Sequence, residues 1–130
     1  MSYLLDTNTV IALLRLDQRV ITRLNRQRSG AVFVSSIALH ELYYGAFKSD
    51  RSAKALRDAD LLDFQTLDFD REDARMSGNV RYLLASTGKP IGPLDILIAG
   101  QALARDLIVV TANTREFLRV QGLRVENWEA

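Results

Sequence analysis

Short apolar runs alternate along this chain with longer segments in which apolar residues recur at spacings of three and four. Runs of strand length occur at residues 2–5, 31–34, 107–110 and 123–126, and a short extended piece covers 64–69. The intervening segments predict helices that begin near residues 8, 18, 36, 51, 70, 93 and 114. Strands that alternate with helices are typical of a parallel sheet between two layers of helices. The pattern therefore predicts an α/β fold.

Length and composition narrow the class of protein without identifying an activity. At 130 residues, 48% of them apolar and 25% charged, we expect one domain over residues 1–130. The net charge of +1 neither requires nor excludes a nucleic-acid partner. The absence of cysteine excludes disulfides, thiolate nucleophiles and cysteine-based zinc sites. No apolar stretch approaches the roughly 18 residues of a membrane span and no signal peptide is evident, so we expect a cytoplasmic protein.

Two carboxylates stand out in the first third of the chain. Asp6 ends the first apolar run, where α/β proteins place ligands at the carboxyl edge of a parallel sheet. Capping of the next helix is the competing role for Asp6, although Thr7 and Asn8 offer caps as well. Glu41 has no Lys or Arg three or four residues away on its predicted helix, so it lacks the usual surface ion pair. An exposed position on a solvated face is the alternative for Glu41.

Two further acids lie in the second half of the chain. Asp95 falls in the first turn of a helix that is apolar on nearly every side, where a buried charge is costly unless it is paired or bound to metal. A favourable interaction with the helix dipole is its competing role. Glu116 lies just beyond the end of another strand, after Thr111 and Asn113, which supply neutral oxygens. A simple helix cap is the alternative role for Asn113.

All four acids fall at positions compatible with one place in the predicted fold, the carboxyl edge of the sheet. Like charges gathered there repel one another and raise one another's pKa values unless a cation intervenes. Carboxylate oxygens favour Mg²⁺ or Mn²⁺ over zinc, and the chain has no cysteine and only one histidine. That histidine, His40, we expect at the surface rather than acting as a base, because it lies about 100° from Glu41 on the helix. The sequence therefore predicts one oxygen-lined metal site.

The segments that carry these acids resemble the PIN-domain ribonucleases, and specifically the VapC toxins of bacterial toxin–antitoxin pairs. The resemblance extends over essentially the whole chain. It rests on LLDTNTVIALL with Asp6, SSIALHELYYGA with Glu41, GPLDILIAGQALA with Asp95, and VVTANTREFLRVQGLRVENW near the end. Four motifs in this order and at these separations make the resemblance specific.

This resemblance implies a three-layer α/β/α fold in which a parallel sheet is flanked by helices. It implies that Asp6, Glu41 and Asp95 bind the metal. Many relatives carry Asp near the position of Glu116, which could therefore bind the metal directly, through water, or not at all. The oxygens of Thr111 and Asn113 would orient the ligands from outside the coordination shell.

The activity that the resemblance implies is cleavage of RNA phosphodiesters by an activated water, with no covalent intermediate. One or two Mg²⁺ ions, or Mn²⁺ as a substitute, would activate that water and neutralise charge on the phosphoryl oxygens. The expected catalytic acids are Asp6, Glu41, Asp95 and Glu116. The implied partners are RNA, a second copy in a homodimer, and a cognate antitoxin whose tail enters the acidic cleft; an Arg-bearing tail would suit that cleft.

Other side chains near the motifs are weaker candidates. Four basic residues could hold the RNA backbone, although a plain surface charge is the commoner role for each: Arg15, Lys48, Lys89 and Arg115. Three aromatic residues could stack on bases, although a core or interface position is the commoner role at this spacing: Tyr43, Tyr44 and Phe47.

Two alternatives stay open at this point. The chain could be a non-catalytic RNA- or protein-binding module on the same fold, although the three acids Asp6, Glu41 and Asp95 favour an enzyme. The segment 6–10 also resembles the DxDx(T/V) motif of haloacid-dehalogenase-type phosphatases, in which Asp6 would be a nucleophile. Asn8 stands where that motif requires its second acid, and the chain is short for that fold, so the phosphatase is the less favoured alternative.

Overall fold

The computed structural model describes residues Met1–Ala130 and contains one five-stranded sheet. Its strands are β1 Tyr3–Leu5, β2 Val32–Ser35, β3 Gln65–Leu67, β4 Ile108–Val110 and β5 Val125–Glu126. They lie in the order β3-β2-β1-β4-β5, and every neighbouring pair is parallel. The helices are α1 Thr7–Leu14, α2 Gln18–Asn25, α3 Ser36–Phe47, α4 Ser52–Asp60, α5 Arg71–Ser86, α6 Pro93–Ala104 and α7 Thr114–Phe117. The predicted α/β/α fold with a parallel sheet is confirmed.

The central strands are buried on both faces. Strand β1 pairs with β2 and β4 in a register that sets Leu4 beside Phe33 and Val109. Every residue of β1 and of β4 is buried, as expected for a parallel sheet covered by helices on both sides. The carboxyl ends of these strands therefore open onto one shared edge, and the residues that follow them in sequence are neighbours in space.

Helices α5 and α6 cross at unusually close range. A Cβ added to Gly100 on α6 would lie 2.5 Å from the Cα of Ser77 on α5, a distance at which backbone atoms would have to move. Glycine is thus required at position 100 by the approach of two backbones. This contact fixes the direction of α6, whose first turn carries Asp95.

A buried network of polar side chains joins the same two helices. The Asp73 carboxylate on α5 is buried and accepts hydrogen bonds from Nε2 of Gln101 and from Nη2 of Arg105, both at 2.9 Å. Arg105 also donates to the carbonyl oxygen of Asp68 at 2.8 Å. Burial raises the pKa of Asp73, but the hydrogen bonds from Arg105, the Asp70 amide and Gln101 outweigh it and hold the pKa below its ordinary value. This acid is paired within the chain.

Element boundaries differ from the predicted ones mainly at the ends of short elements. The second and last helices, expected to reach residues 28 and 120, end at Asn25 and Phe117. After Phe117 the chain continues in tight turns, with the Val120 amide donating to the Phe117 carbonyl oxygen, and reaches Gly122 at a φ of +83°. These local turns replace the final helical turn expected from the apolar spacing. None of the helices is both long and apolar enough to span a membrane.

Candidate active site

Asp6 lies at the centre of the carboxyl edge and is held by both elements that it joins. Its amide donates to the carbonyl oxygen of Val110 at 3.0 Å, and its Oδ1 accepts from the Thr9 amide at 2.8 Å. Asp6 is therefore the cap of α1, a role for which the sequence also offered Thr7 and Asn8. Burial raises the pKa of Asp6, while the Thr111 hydroxyl and the Thr9 hydrogen bonds act against that rise.

Glu41 is brought to Asp6 by a contact that joins two neighbouring helices. The hydroxyl of Thr7 donates to Oε1 of Glu41 at 2.8 Å. Thr7 directly follows Asp6, and α3 begins where β2 ends at Ser35, whose hydroxyl caps the helix by accepting from the Ile37 amide. No Lys or Arg forms an ion pair with Glu41, in agreement with its sequence neighbours. The donor of this hydrogen bond is the neutral Thr7 hydroxyl, which does not neutralise the Glu41 carboxylate.

Asp95 occupies the first turn of α6, facing the other acids. Burial raises its pKa, and the negative charges of Asp6, Glu41 and Glu116 raise it further, to about 6. Each of these charge effects requires proximity, so the structure gathers the four acids at one edge of the sheet. Gly92, the cap residue of α6, stands so close that an added Cβ would lie 3.2 Å from Oδ2 of Asp95.

Glu116 is oriented by a side chain from the loop after β4. Nδ2 of Asn113 donates to Oε2 of Glu116 at 2.8 Å, and the Asn113 amide donates to the Thr111 hydroxyl at 2.9 Å. Asn113 occupies the cap position of α7, yet its side chain makes no capping hydrogen bond. The simple cap weighed for Asn113 is therefore not its role, and its amide group instead aims the Glu116 carboxylate.

The donor set fits a hard divalent cation. It consists of carboxylate oxygens, half-buried or buried, with neutral hydroxyl and amide groups as their hydrogen-bond donors and no arginine or lysine paired to them. Such oxygens suit Mg²⁺ or Mn²⁺. As they stand, no three of the Asp, Glu and His side chains form a group that could hold a metal ion. Four acids are thus gathered with their mutual repulsion uncompensated, which is the arrangement that a bound cation relieves.

Three contributors to this site were not singled out in the sequence. Thr7 was weighed only as a cap, and its bond to Glu41 spans 34 residues, beyond the reach of any local pattern. Thr9 is buried, with its hydroxyl donating to the Val110 carbonyl oxygen at 3.0 Å. Gly92 leaves the space beside Asp95. The DTNT segment gave the only available signal, since hydroxyl residues there follow the acid directly.

The basic candidates and the histidine are exposed and form no ion pair with the acids of this cluster. His40 is exposed, as expected. The four basic candidates are exposed as well, and none forms an ion pair with a site acid: Arg15, Lys48, Lys89 and Arg115. The chain itself therefore pairs none of the four acids with a basic side chain.

Comparison with known proteins points to one family. The model of the PIN domain matches residues 3–123. Ribonuclease VapC2 of Haemophilus influenzae is 42% identical over 98% of both chains, and the tRNA(fMet)-specific endonuclease VapC of Shigella flexneri is 39% identical over 98% of both. A crystal structure of DNA-bound VapBC from Salmonella typhimurium superposes with a TM-score of 0.91 at 40% identity, covering 98% of each chain. These matches, extending over nearly the whole length on both sides, show that this chain belongs to the PIN domain family and to its VapC group.

Proposed function

We propose that this chain, as one PIN-like domain over residues 1–130, is a metal-dependent endoribonuclease and the toxin of a toxin–antitoxin pair. One observation carries the proposal: burial, together with the charges of Asp6, Glu41 and Glu116, raises the pKa of Asp95 to about 6, and no basic side chain is paired with these acids. The relatives named ribonuclease and endonuclease VapC support the reaction class. The alternative of an inert module would not need to keep four acids together at a free-energy cost.

Asp6, Glu41 and Asp95 would hold the ion, which we take to be Mg²⁺ with Mn²⁺ as a substitute. When bound, it lowers the pKa of water and neutralises charge on the phosphoryl oxygens. The chain's own residues supply the positioning. Helix capping and the Val110 contact fix Asp6.

Two neutral donors hold the remaining carboxylates. Thr7 fixes Glu41, and Asn113 fixes Glu116 at the far side of the same edge. Because both donors are uncharged, they orient these carboxylates without supplying the positive charge that a cation would bring. We assign Glu116 to the catalytic set as a fourth acid whose contact with the ion is direct or through water.

The proposed partners follow from the relatives in the same group. Four solved VapBC structures cover 97% or more of this chain at 28% identity or more. We propose that a cognate antitoxin covers the acidic edge, with a basic residue supplying the positive charge that the cluster lacks. A homodimer in the cytoplasm completes the proposal.

The test is cleavage of RNA by the purified chain with Mg²⁺ and with EDTA. tRNA(fMet) is the first substrate to try, because the Shigella relative is named for it, with an elongator tRNA beside it. Asp6→Asn and Asp95→Asn should each lower kcat about 100-fold or more, as expected for a group that stabilises transition-state charge. Asn caps helices as well as Asp does, so the first variant keeps α1. Asp50→Asn, at an exposed position beyond the end of α3, is the matched control.

Far-ultraviolet circular dichroism must show both variants folded for the comparison to count. Undiminished cleavage by both folded variants would refute the site. Cleavage that persists in EDTA would refute the metal requirement, and no cleavage with saturating Mg²⁺ would favour the inert module.

A further inference from the structure

Helix α3 exposes two aromatic rings beside a lysine. Tyr44 is 62% exposed and Phe47 is 69% exposed, whereas Leu42 and Ala46 on the other side of the helix are buried in the core. The Lys48 ammonium nitrogen lies 4.8 Å from the centroid of the Tyr44 ring. The two rings therefore contribute little to the packing of this chain, and the cation stays at the solvent side of one of them.

This aromatic patch, Tyr44, Phe47 and Lys48, continues directly from the acidic edge. Tyr44 follows Glu41 by three residues on α3, so the two side chains are neighbours on the same helix surface. Glu41 is in turn joined to the residue after Asp6 by the Thr7 hydrogen bond. Along the axis of α3, Tyr44 lies about 4.5 Å beyond Glu41 and Phe47 about 9 Å beyond it.

We propose that the aromatic patch is a stacking platform for unpaired bases of the RNA that enters the acidic site. This inference rests on the proposed function and names the substrate form: single-stranded or looped RNA with bases free to stack. Aromatic side chains stack on any base, and a lysine beside them pairs with the phosphate backbone. Without the ion the acids repel that backbone, and basic or aromatic groups that border them add attraction to that of the ion. Tyr44 and Lys48 are the groups that α3 supplies there.

A second copy of this chain is the other possible occupant of an exposed apolar face, and the structure favours it less. A stable interface buries about 800 Å² on each partner, and this patch consists of two rings and one charged side chain. Lysine is depleted in the centres of interfaces, yet here Lys48 lies over the Tyr44 ring. Its position suits a surface that meets a polyanion.

The experiment uses a short single-stranded RNA that carries 2-aminopurine, whose fluorescence is quenched on stacking. It is titrated with the Asp6→Asn protein, so that the RNA stays intact, with and without Tyr44→Ala or Phe47→Ala. We expect quenching by the Asp6→Asn protein and about 10-fold weaker binding when Tyr44→Ala is added. Tyr44→Phe should restore the binding. Tyr82→Ala, at a tyrosine that is 69% exposed on α5, is the matched control and should change nothing.

Kinetics and salt dependence separate the platform from a merely structural role. With the cleaving protein, Tyr44→Ala should raise KM with little change in kcat. Lys48→Ala should reduce the slope of log K against log salt by about one, as expected for one phosphate contact. Circular dichroism and the melting temperature of each variant exclude unfolding as the cause.

The possible outcomes distinguish the stacking platform from the nuclease activity and from a dimer interface. Equal quenching and equal KM in Tyr44→Ala, Phe47→Ala and the Tyr82→Ala control would overturn the platform while leaving the nuclease intact. Quenching that depends on Tyr44, in a protein that never cleaves RNA, would support the platform and refute the nuclease. A change from dimer to monomer on Tyr44→Ala, measured by light scattering, would overturn the platform by showing that the patch joins two copies.

Discussion

Two regions of this molecule bury acidic side chains. They differ in whether a basic side chain is paired with the buried acid. Between α5 and α6, Asp73 receives hydrogen bonds from Arg105 and Gln101, and its pKa is held low. At the carboxyl edge of the sheet, Asp95 has only other acids as charged neighbours, and its pKa is raised to about 6. The chain therefore supplies a guanidinium where an acid is structural and none where four acids meet. The comparison indicates that the positive charge at the acidic edge is supplied by a bound ion or a partner.

The strongest way to break the comparison is to remove the internal cation. Arg105→Ala leaves Asp73 buried without its ion-pair partner, and we expect the free energy of unfolding to fall by about 3 kcal/mol, the lower end for buried pairs because Arg105 is 31% exposed. Urea unfolding at neutral pH measures this loss. Lys54→Ala, which breaks the exposed pair with Asp58, is the control and should cost less than about 1 kcal/mol. Equal losses in the two variants would mean that the Asp73 network is not a strong pair.

The next largest effect is expected at the acidic edge, where a substitution should raise the free energy of unfolding instead of lowering it. The pKa of Asp95 is raised from 3.8 to about 6, so the folded, metal-free protein binds more protons than the unfolded chain between those values. Stability should therefore fall as pH rises through that window. Asp95→Asn should reduce this fall, leaving the part due to the raised pKa of Asp6, and should raise stability at pH 7 by about 2 kcal/mol. Unfolding in EDTA across this pH range tests the prediction. A less stable Asp95→Asn protein at pH 7 would contradict it.

Asp73 should show the reverse dependence on pH. Because its pKa is lowered, its contribution to stability is present above the ordinary value of 3.8 and is lost as pH falls. In Arg105→Ala this acid-side loss should shrink, while the effect of Asp95 between its two pKa values is unchanged. The two regions can thus be followed separately in one set of unfolding curves.

The third effect is the stabilisation of the protein by a divalent cation, which should depend on the acidic edge and not on the Asp73 network. Mg²⁺ at about ten times its Kd should stabilise the protein by about 1.4 kcal/mol, because it binds the native state alone. A thermal scan should show this as a rise in Tm of a few degrees. The rise should vanish in Asp95→Asn and persist in Arg105→Ala, whose altered network lies apart from the acidic edge. An undiminished rise in Asp95→Asn would show that the ion binds elsewhere.

The smallest expected effect concerns the neutral donors around the acids. Thr7→Val removes the hydroxyl that holds Glu41, and the affinity for Mg²⁺ should fall about 10-fold, as for partners outside the coordination shell. Stability should change by less than about 1.5 kcal/mol. Cleavage as a function of Mg²⁺ concentration gives the affinity. Thr7→Ser should restore it, and Thr22→Val at an exposed position serves as the control.

The sequence was sufficient for the fold because its central strands are apolar on both faces. The runs around Leu4 and Val109 are buried throughout, and only a covered parallel sheet accommodates them. Asp6 and Asp95 could be singled out from local pattern, since one directly follows a strand and the other stands in the first turn of a helix, whereas Glu41, in the middle of α3, was marked only by the absence of a nearby Lys or Arg. The sequence could not identify the N-cap of α1, because three residues that can cap a helix follow one another at 6–8. The contact of Asp6 with Val110 decides among them. The Thr7–Glu41 hydrogen bond could not be predicted from the sequence either, since it depends on how two helices pack together.

Val110 has a consequence for when this protein becomes active. Its carbonyl oxygen receives hydrogen bonds from the amide of Asp6 and the hydroxyl of Thr9, which lies 101 residues earlier in the chain. While the ribosome is still translating, the segment with Asp6 emerges first and must wait for β4 before it can settle, and such non-local pairing is slow. We therefore expect a nascent chain to lack cleavage activity until β4 has been synthesised. The proposed antitoxin gains that interval to be present before the edge closes.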